Sequence, residues 1–268
     1  MNKENYLLFI DSGAGGLSVL DYFLKLRSDA NIIYYADTFN FPYGKKKEDI
    51  IGKILYNIYL NISDKFKIPL IVIACNTASV SALKYLRERV SVPIVGTVPA
   101  VKPASESTKN DKIGIIATET TVNGKYLADL IKKFAAGKEV SIKASALLVE
   151  AAEKFYSKKE VKKTIEKELI FFKENNIDTL VLGCTHYSLI KNEINDFFDN
   201  KVNILDSSQG VSKRIIQLMN DKVLINNNKR YLFLSKGDEG ILDSYKKFNS
   251  ILKLFDNIEV EDMSCQKV

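Results

Sequence analysis

The chain has 268 residues, 46% hydrophobic and 27% charged, which excludes a disordered or low-complexity protein and suits one large α/β domain or two of moderate size. Its formal net charge of +6 comes mostly from lysines interleaved with glutamates, as in KKEVKKTIEKELIFFKE, the pattern of a solvated helix face rather than of a nucleic-acid surface. The apolar stretch in MNKENYLLFIDSG is too short for a signal sequence, no apolar run is long enough to span a membrane, and the three cysteines are too dispersed for a disulfide scaffold. The expectation is a cytoplasmic protein in a reducing compartment, with no membrane and no nucleic acid among its partners.

Taken in chain order, NYLLFID, NIIYYAD, PLIVIAC and VPIVGT read as buried strands, and LSVLDYFLKL and SVSALKYLRERV between them have helical spacing. KIGIIAT, SIKASALLVE, TLVLGC and VNILD form a second series, with helices near residues 122–136, 158–175 and 188–198. Within 158–175, Val161, Ile165, Leu169 and Phe172 recur on one helical face, and lysines and glutamates fill the other. This alternation predicts an α/β fold of mainly parallel sheets covered by helices.

The two series echo each other. In the first, one strand runs into Asp11-Ser12-Gly13 and a later one into Cys75-Asn76-Thr77. In the second, one strand runs into Thr118 and another, at nearly the same separation, into Cys184-Thr185-His186. Two similar α/β domains are therefore expected, residues 1–97 with 207–268 forming the first and 98–206 the second. Ligands bind beyond the carboxyl ends of parallel strands, so the predicted site lies in a cleft shared by the two.

The glycine loop IDSGAGGLSVL invites a dinucleotide-binding reading, with Asp37 closing the next strand. The G-x-G-x-x-G fingerprint fails at Ser18, however, and Asp11 ahead of the glycines would repel a pyrophosphate. A tight turn presenting backbone N–H groups and a hydroxyl to a small ligand fits better, with a plain strand-to-helix turn as the alternative.

The cysteines carry more information. A cysteine in an apolar run is ordinarily a small buried hydrophobe. Here two stand in matching settings, VIACNTASV and VLGCTHYSL, each ending a strand and opening a helix whose N-terminus favours the reactive thiolate. A metal site needs more ligands than Cys184 and His186, the only histidine, and a hydrolytic Cys–His pair leaves Cys75 idle. A disulfide is opposed by the expected compartment. Two thiols across a cleft suit removing a proton from one face of a carbon and returning one to the other, which inverts a stereocentre. Cys265, near the polar tail, has no such setting and is assigned no role.

The ordered set IDSGAGGLSVL, ADTFNFPYGKK, IACNTAS, ATETTVNGKY, ALLVE and VLGCTHYSLI resembles the glutamate racemases of the cofactor-independent aspartate/glutamate racemase superfamily, from about residue 7 to about residue 210. PYG in particular separates the glutamate enzymes from more distant members. The resemblance implies interconversion of L- and D-glutamate without pyridoxal phosphate or metal, the D-isomer supplying peptidoglycan synthesis. It implies that Cys75 handles the α-proton of D-glutamate and Cys184 that of L-glutamate, with Asp11 and His186 supporting the thiols and facing the substrate. Ser12, Asn76, Thr77, Thr121 and Thr185 would hold the substrate's carboxylates and ammonium. Tyr43 and Gly44 would line the site in a loop, and Glu150 would lie near the ammonium or His186. Two departures stand out: Ser188 replaces a usual proline, and SIKASALLVE lacks the Cys-Pro pair that many members carry before the glutamate. Members are often homodimers, so the resemblance makes a homodimer one possible assembly, with no interface marked in the sequence. An aspartate racemase and a non-catalytic binder of acidic amino acids are the rival readings, the second disfavoured by the paired thiols.

Overall fold

The computed structural model describes residues 4–153, 157–219, 228–235 and 239–260; Cys265 lies outside them. The chain divides into two compact units, one formed by the residues up to Thr97 together with those from Ser208 onward, the other by Val98–Ser207.

The first unit opens with β1 (Asn5–Asp11), α1 (Leu17–Leu26), β2 (Ile32–Ala36), α2 (Glu48–Lys65), β3 (Lys67–Ile73), α3 (Asn76–Arg87) and β4 (Ile94–Gly96). The second contains α4 (Val101–Ser107), β5 (Lys112–Ala117), α5 (Glu119–Val122), α6 (Lys125–Phe134), β6 (Glu139–Ala144), α7 (Ala146–Glu153), α8 (Lys158–Glu174), β7 (Thr179–Leu182), α9 (Thr185–Ser188), α10 (Lys191–Phe197) and β8 (Asn203–Leu205). The chain then returns to the first with α11 (Ser208–Leu218), β9 (Arg230–Leu234), α12 (Glu239–Leu252) and β10 (Asn257–Val260).

In the first unit the strands pair in the order β10-β9-β2-β1-β3-β4, every pair parallel. Helices on both faces bury these strands, which is why they read as continuous apolar runs rather than as alternating ones. Tyr6, Leu8 and Ile10 join Ile33, Tyr35, Ile71 and Ile73 in one core cluster with residues of α2 and α3. On the other face Phe9 meets Phe23 of α1 at a ring separation of 5.8 Å. Helix α2 carries Glu48 and Asp49 in its first turn and Lys65 in its last, each sign matched to its end of the helix dipole.

The second unit's sheet runs β6-β5-β7-β8, again all parallel. One face, Ile113, Ile115 and Val181, packs against Val101 and Ala104 of α4 and Leu127 of α6. Helix α8 starts at a capping box, Ser157 with Glu160, and buries the expected stripe Val161, Ile165, Leu169 and Phe172. Gly114 of β5 lies under it: a Cβ there would stand 2.6 Å from Ile177 Cδ1 and 2.8 Å from Phe172 Cδ1. The first four strands of one unit and the four of the other share one topology: the second strand lies outside the first, and the third and fourth follow on its other side.

Three elements differ from the sequence expectation. SIKASALLVE is not one strand: β6 ends at Ala144, and Ser145 Oγ accepts the Leu148 N–H (3.2 Å), starting α7 with Leu148, Val149, Ala151 and Ala152 buried at helical spacing. The helix expected over 122–136 is α6 and starts only at Lys125, because Gly124 leaves helical geometry (φ −77°, ψ 139°) after the separate short α5. The one expected over 188–198 is α10 and likewise starts later, at Lys191, with Leu189-Ile190 separating it from α9. Among the described residues no helix is long and apolar enough to cross a membrane.

The packing over β5 predicts that Gly114→Ala lowers stability by about 1–3 kcal/mol through overpacking, read as a lower urea midpoint at unchanged slope. Gly210→Ala is the control, since Gly210 is an exposed position of α11 and a Cβ there meets nothing within 4 Å. It should stabilise by roughly 0.5–1 kcal/mol through helix propensity.

Candidate active site

At the carboxyl edge of the first sheet each strand extends its ladder by one bond: Asp37 N–H donates to Asp11 O (2.8 Å), Ala74 N–H to Ile10 O (2.8 Å) and Thr97 N–H to Ile73 O (3.1 Å). Asp37, one residue past β2, and Cys75, two past β3, are thereby brought to the same edge as Asp11, the last residue of β1. Asp11 is wholly buried, and its Oδ1 accepts the Gly13 N–H (3.1 Å) and the Ser12 hydroxyl (3.2 Å). The glycine loop then passes over the strand that leads to Cys75. A Cβ on Gly16 would lie 2.7 Å from Ala74 Cβ and 3.0 Å from its carbonyl oxygen, so the loop must be glycine there. Tyr34 secures it by donating to Gly13 O (2.8 Å).

Cys75 sits at the N-cap of α3 in extended geometry (φ −130°, ψ 123°). The carbonyl of Ile73 just before it accepts the hydroxyls of Ser79 (3.1 Å) and Thr97 (2.8 Å), a clasp that fixes the strand end carrying the thiol. Asn76 and Thr77 follow, both buried. Neither the amide nitrogen nor the oxygen of Asn76's side chain has a hydrogen-bond partner among the described residues, although the residue is 1% exposed. A buried amide left in this state costs about 1–3 kcal/mol, which a polar ligand's donors and acceptors would offset.

Tyr43, in the short turn Tyr43–Lys45 beside Gly44, is also buried, and its hydroxyl donates to Asp37 Oδ2 (2.7 Å). Burial, and then the charge of Asp37 with those of Cys75 and Asp11, holds the phenol well above its ordinary pKa, so it remains a neutral donor. Burial also raises Asp37's pKa against the pull of its hydrogen bonds. The sequence shows Asp37 only as a strand-end residue; its bond to Tyr43 makes it part of this cluster.

In the second unit Cys184 repeats the setting of Cys75. It is the N-cap of α9 with nearly the same backbone (φ −139°, ψ 136°), and the same fraction of it is exposed, 6%. Neither thiol is in a disulfide. Thr185 and His186 follow, both buried. His186 Nδ1 lies 3.8 Å from Cys184 Sγ, and Nε2 is 2.8 Å from Glu153 Oε2. For the imidazole, then, the partner is Glu153, one helical turn beyond the Glu150 that the sequence offers; both stand on α7. Tyr187 braces this turn: its buried hydroxyl reaches the carbonyls of Ala117 and Ser145, tying the turn after β7 to the ends of β5 and β6. Thr121, buried in α5, is held by Thr118, whose hydroxyl lies 3.0 Å from its own.

Burial by itself pulls the His186 pKa down, but hydrogen bonds to Cys184 and Glu153, reinforced by their charges, outweigh it and raise it well above 6.5. Among the described residues no group of three or more His, Cys, Asp and Glu is arranged to hold a metal ion.

Because His186 is the only histidine, its ring proton signal in NMR is assignable without labelling. Its titration midpoint should lie above 6.5 and move down in Glu153→Gln; a midpoint at or below 6.5 in the unmodified protein contradicts the arrangement. The corresponding stability term has a defined sign. With the folded pKa raised, the stabilisation is complete below the unfolded value near 6.5 and is lost as pH rises through the folded value.

The Asp/Glu/Hydantoin racemase family matches residues 55–210. A glutamate racemase of Aliivibrio fischeri is 42% identical over 218 residues, 80% of this chain and 81% of that one. One from Haemophilus influenzae is 41% identical over 238 residues, 85% of this chain and 86% of its own. Among solved structures, the Escherichia coli glutamate racemase in complex with L-glutamate and the activator UDP-MurNAc-ala superposes with a TM-score of 0.85 at 32% identity, covering 97% of this chain and 98% of that one. The Francisella tularensis glutamate racemase in complex with D-glutamate gives 0.79 at 26%, covering 98% and 99%. This chain belongs to the Asp/Glu/Hydantoin racemase family and, within it, to the glutamate racemases.

Proposed function

We propose that the chain interconverts L- and D-glutamate by a two-thiol mechanism in which Cys75 and Cys184 serve opposite faces of the substrate's α-carbon. The observation that carries this reading is the duplicated setting of the thiols, each buried, each at a helix N-cap in the same backbone conformation, each after the third strand of its sheet. The related structures hold L-glutamate in one case and D-glutamate in the other.

In the L-to-D direction the Cys184 thiolate takes the α-proton and the Cys75 thiol delivers its own to the other face. The two sulfurs thus exchange protonation states, and the reverse reaction restores them. His186, held by Glu153, orients and charges the Cys184 side. On the other side Asp11, buried beneath the glycine loop and held by its own donors, is the carboxylate assigned to orient Cys75. The α-carbon is a weak acid, so the negative charge that develops on the substrate must meet preorganised donors. Ser12, Asn76 and Thr77 of the first unit, and Thr121 and Thr185 of the second, supply hydroxyls and amides for that role, and Tyr43 with Gly44 lines the site. No pyridoxal or metal cofactor enters the scheme. The D-glutamate formed would serve peptidoglycan synthesis in the cytoplasm, a setting in accord with two reduced thiols.

Incubated with L-glutamate in heavy water, the protein should form D-glutamate bearing α-deuterium, and should leave L-aspartate unchanged. Replacing either Cys75 or Cys184 with alanine should cost at least about a hundred- to ten-thousandfold in racemisation in both directions, the range for loss of a positioned acid or base. Near-full activity in either variant would sink the two-thiol scheme.

A further inference from the structure

We infer that Ser235, brought to the sheet by the returning end of the chain, is a positioning residue for substrate binding: it fixes the Asp37 carboxylate that holds Tyr43 and the turn Pro42-Tyr43-Gly44. The inference rests on the reading that this turn lines a glutamate site.

Ser235 follows β9, which pairs with β2, and its backbone N–H continues the ladder to Ala36 O (3.1 Å). It thereby lies beside Asp37, the residue that follows β2. Its hydroxyl donates to Asp37 Oδ1 (2.9 Å) and accepts the Phe39 N–H (2.9 Å). Asn40 adds a longer contact to the same oxygen (3.2 Å), and Tyr43 donates to the other (2.7 Å). Asp37 is 1% exposed and Ser235 is 2% exposed. A carboxylate this deep needs its donors, and it is rigid only when they are.

The network brackets one short stretch of chain. Asp37 begins it, Phe39 and Asn40 are pinned to Ser235 and Asp37 within it, and Tyr43 closes it. The bonds from Lys45 N–H to Pro42 O (3.2 Å) and from Lys46 N–H to Tyr43 O (2.9 Å) then form the turn itself. Tyr43's hydroxyl is consumed by Asp37, so what the turn offers a ligand is its placement, not that proton. Without the Ser235 hydroxyl, Asp37 Oδ1 keeps the longer Asn40 contact, and Phe39 and Asp37 are no longer joined through a common group. A loosened turn loses ground-state and transition-state contacts alike, which appears in KM and not in kcat.

The test combines kinetics with hydrogen exchange. In Ser235→Ala, KM for glutamate should rise roughly fivefold in both directions with kcat within about twofold, the net scale of one ordinary intramolecular hydrogen bond. Ser235→Thr, which keeps the hydroxyl, should restore KM. Tyr43→Phe should give a similar rise, and the double variant Ser235→Ala with Tyr43→Phe should be no worse than the more affected single, as expected for members of one network. Independently of any activity, amides of residues 41–47 should exchange faster in Ser235→Ala while those of α8 keep their rate. If Ser235 only terminates β9, stability falls while KM and exchange in the turn stay as they were. An unchanged KM, unchanged exchange in 41–47, or additive single variants overturns the inference. Should the unmodified protein fail to racemise glutamate, that failure falls on the functional reading, and the exchange comparison alone decides the role of Ser235.

Discussion

The arrangement depends on one pairing in each unit, that of the first strand with the third. Parallel strands β1 and β3 run side by side until Ile10 meets Ile73, and β5 and β7 until Ile116 meets Leu182. At that point the chain between them leaves in opposite directions, the second strand lying on one side and the fourth on the other. The pair's carboxyl ends are therefore a place on the edge where loops diverge and leave room for a ligand. Asp11 and Cys75 stand at this place in one unit, Thr118 and Cys184 in the other.

Electrostatics then decide what those positions can do. Near each thiol stands an ionisable side chain that is costly to bury, His186 in one unit and Asp11 in the other, and each of the two has hydrogen-bond partners. Glu153 holds the His186 imidazole from the side away from the sulfur, and backbone and hydroxyl donors hold Asp11. The two neighbourhoods differ in kind: His186 lies 3.8 Å from the Cys184 sulfur, whereas Asp11 is a carboxylate at the end of the strand next to the one that leads to Cys75. The halves of this duplicated fold are thus alike in backbone and unlike in the ionisable group near the strand end. A racemase needs such a match in geometry, because its two half-reactions are mirror images at the carbon. It has no need of identical supports, since the rest of a chiral substrate does not mirror itself.

Much of this was legible in the chain because a sheet covered on both faces leaves an unmistakable trace. LLFI, IIYYA and LIVI could be little else than buried strands, and Cys75 and Cys184 stood out by where those runs stop. Periodicity was weaker where segments were short. ALLVE is apolar enough for a strand, and only Ser145 acting as a cap and the spacing of Leu148, Val149, Ala151 and Ala152 make it a helix. That error has a consequence at the site. On a helix Glu150 and Glu153 are neighbours one turn apart, so choosing between them requires knowing which one reaches His186, and no local pattern carries that. Ser235 was invisible for a different reason. Its partner Asp37 lies far away in sequence, and only the pairing of β9 with β2 brings them together.

The non-contiguity of the first unit has a temporal side. Residues 98–207 follow one another without interruption, whereas the sheet of the first unit places β9, made late, against β2, made early. A ribosome releases the chain from its N-terminus, so the outer edge of β2 waits without its neighbour while the whole intervening unit is synthesised. An exposed strand edge in a growing chain invites pairing with the wrong partner. The inserted unit is the one that can finish first, and the unit that begins the chain is the one that closes last.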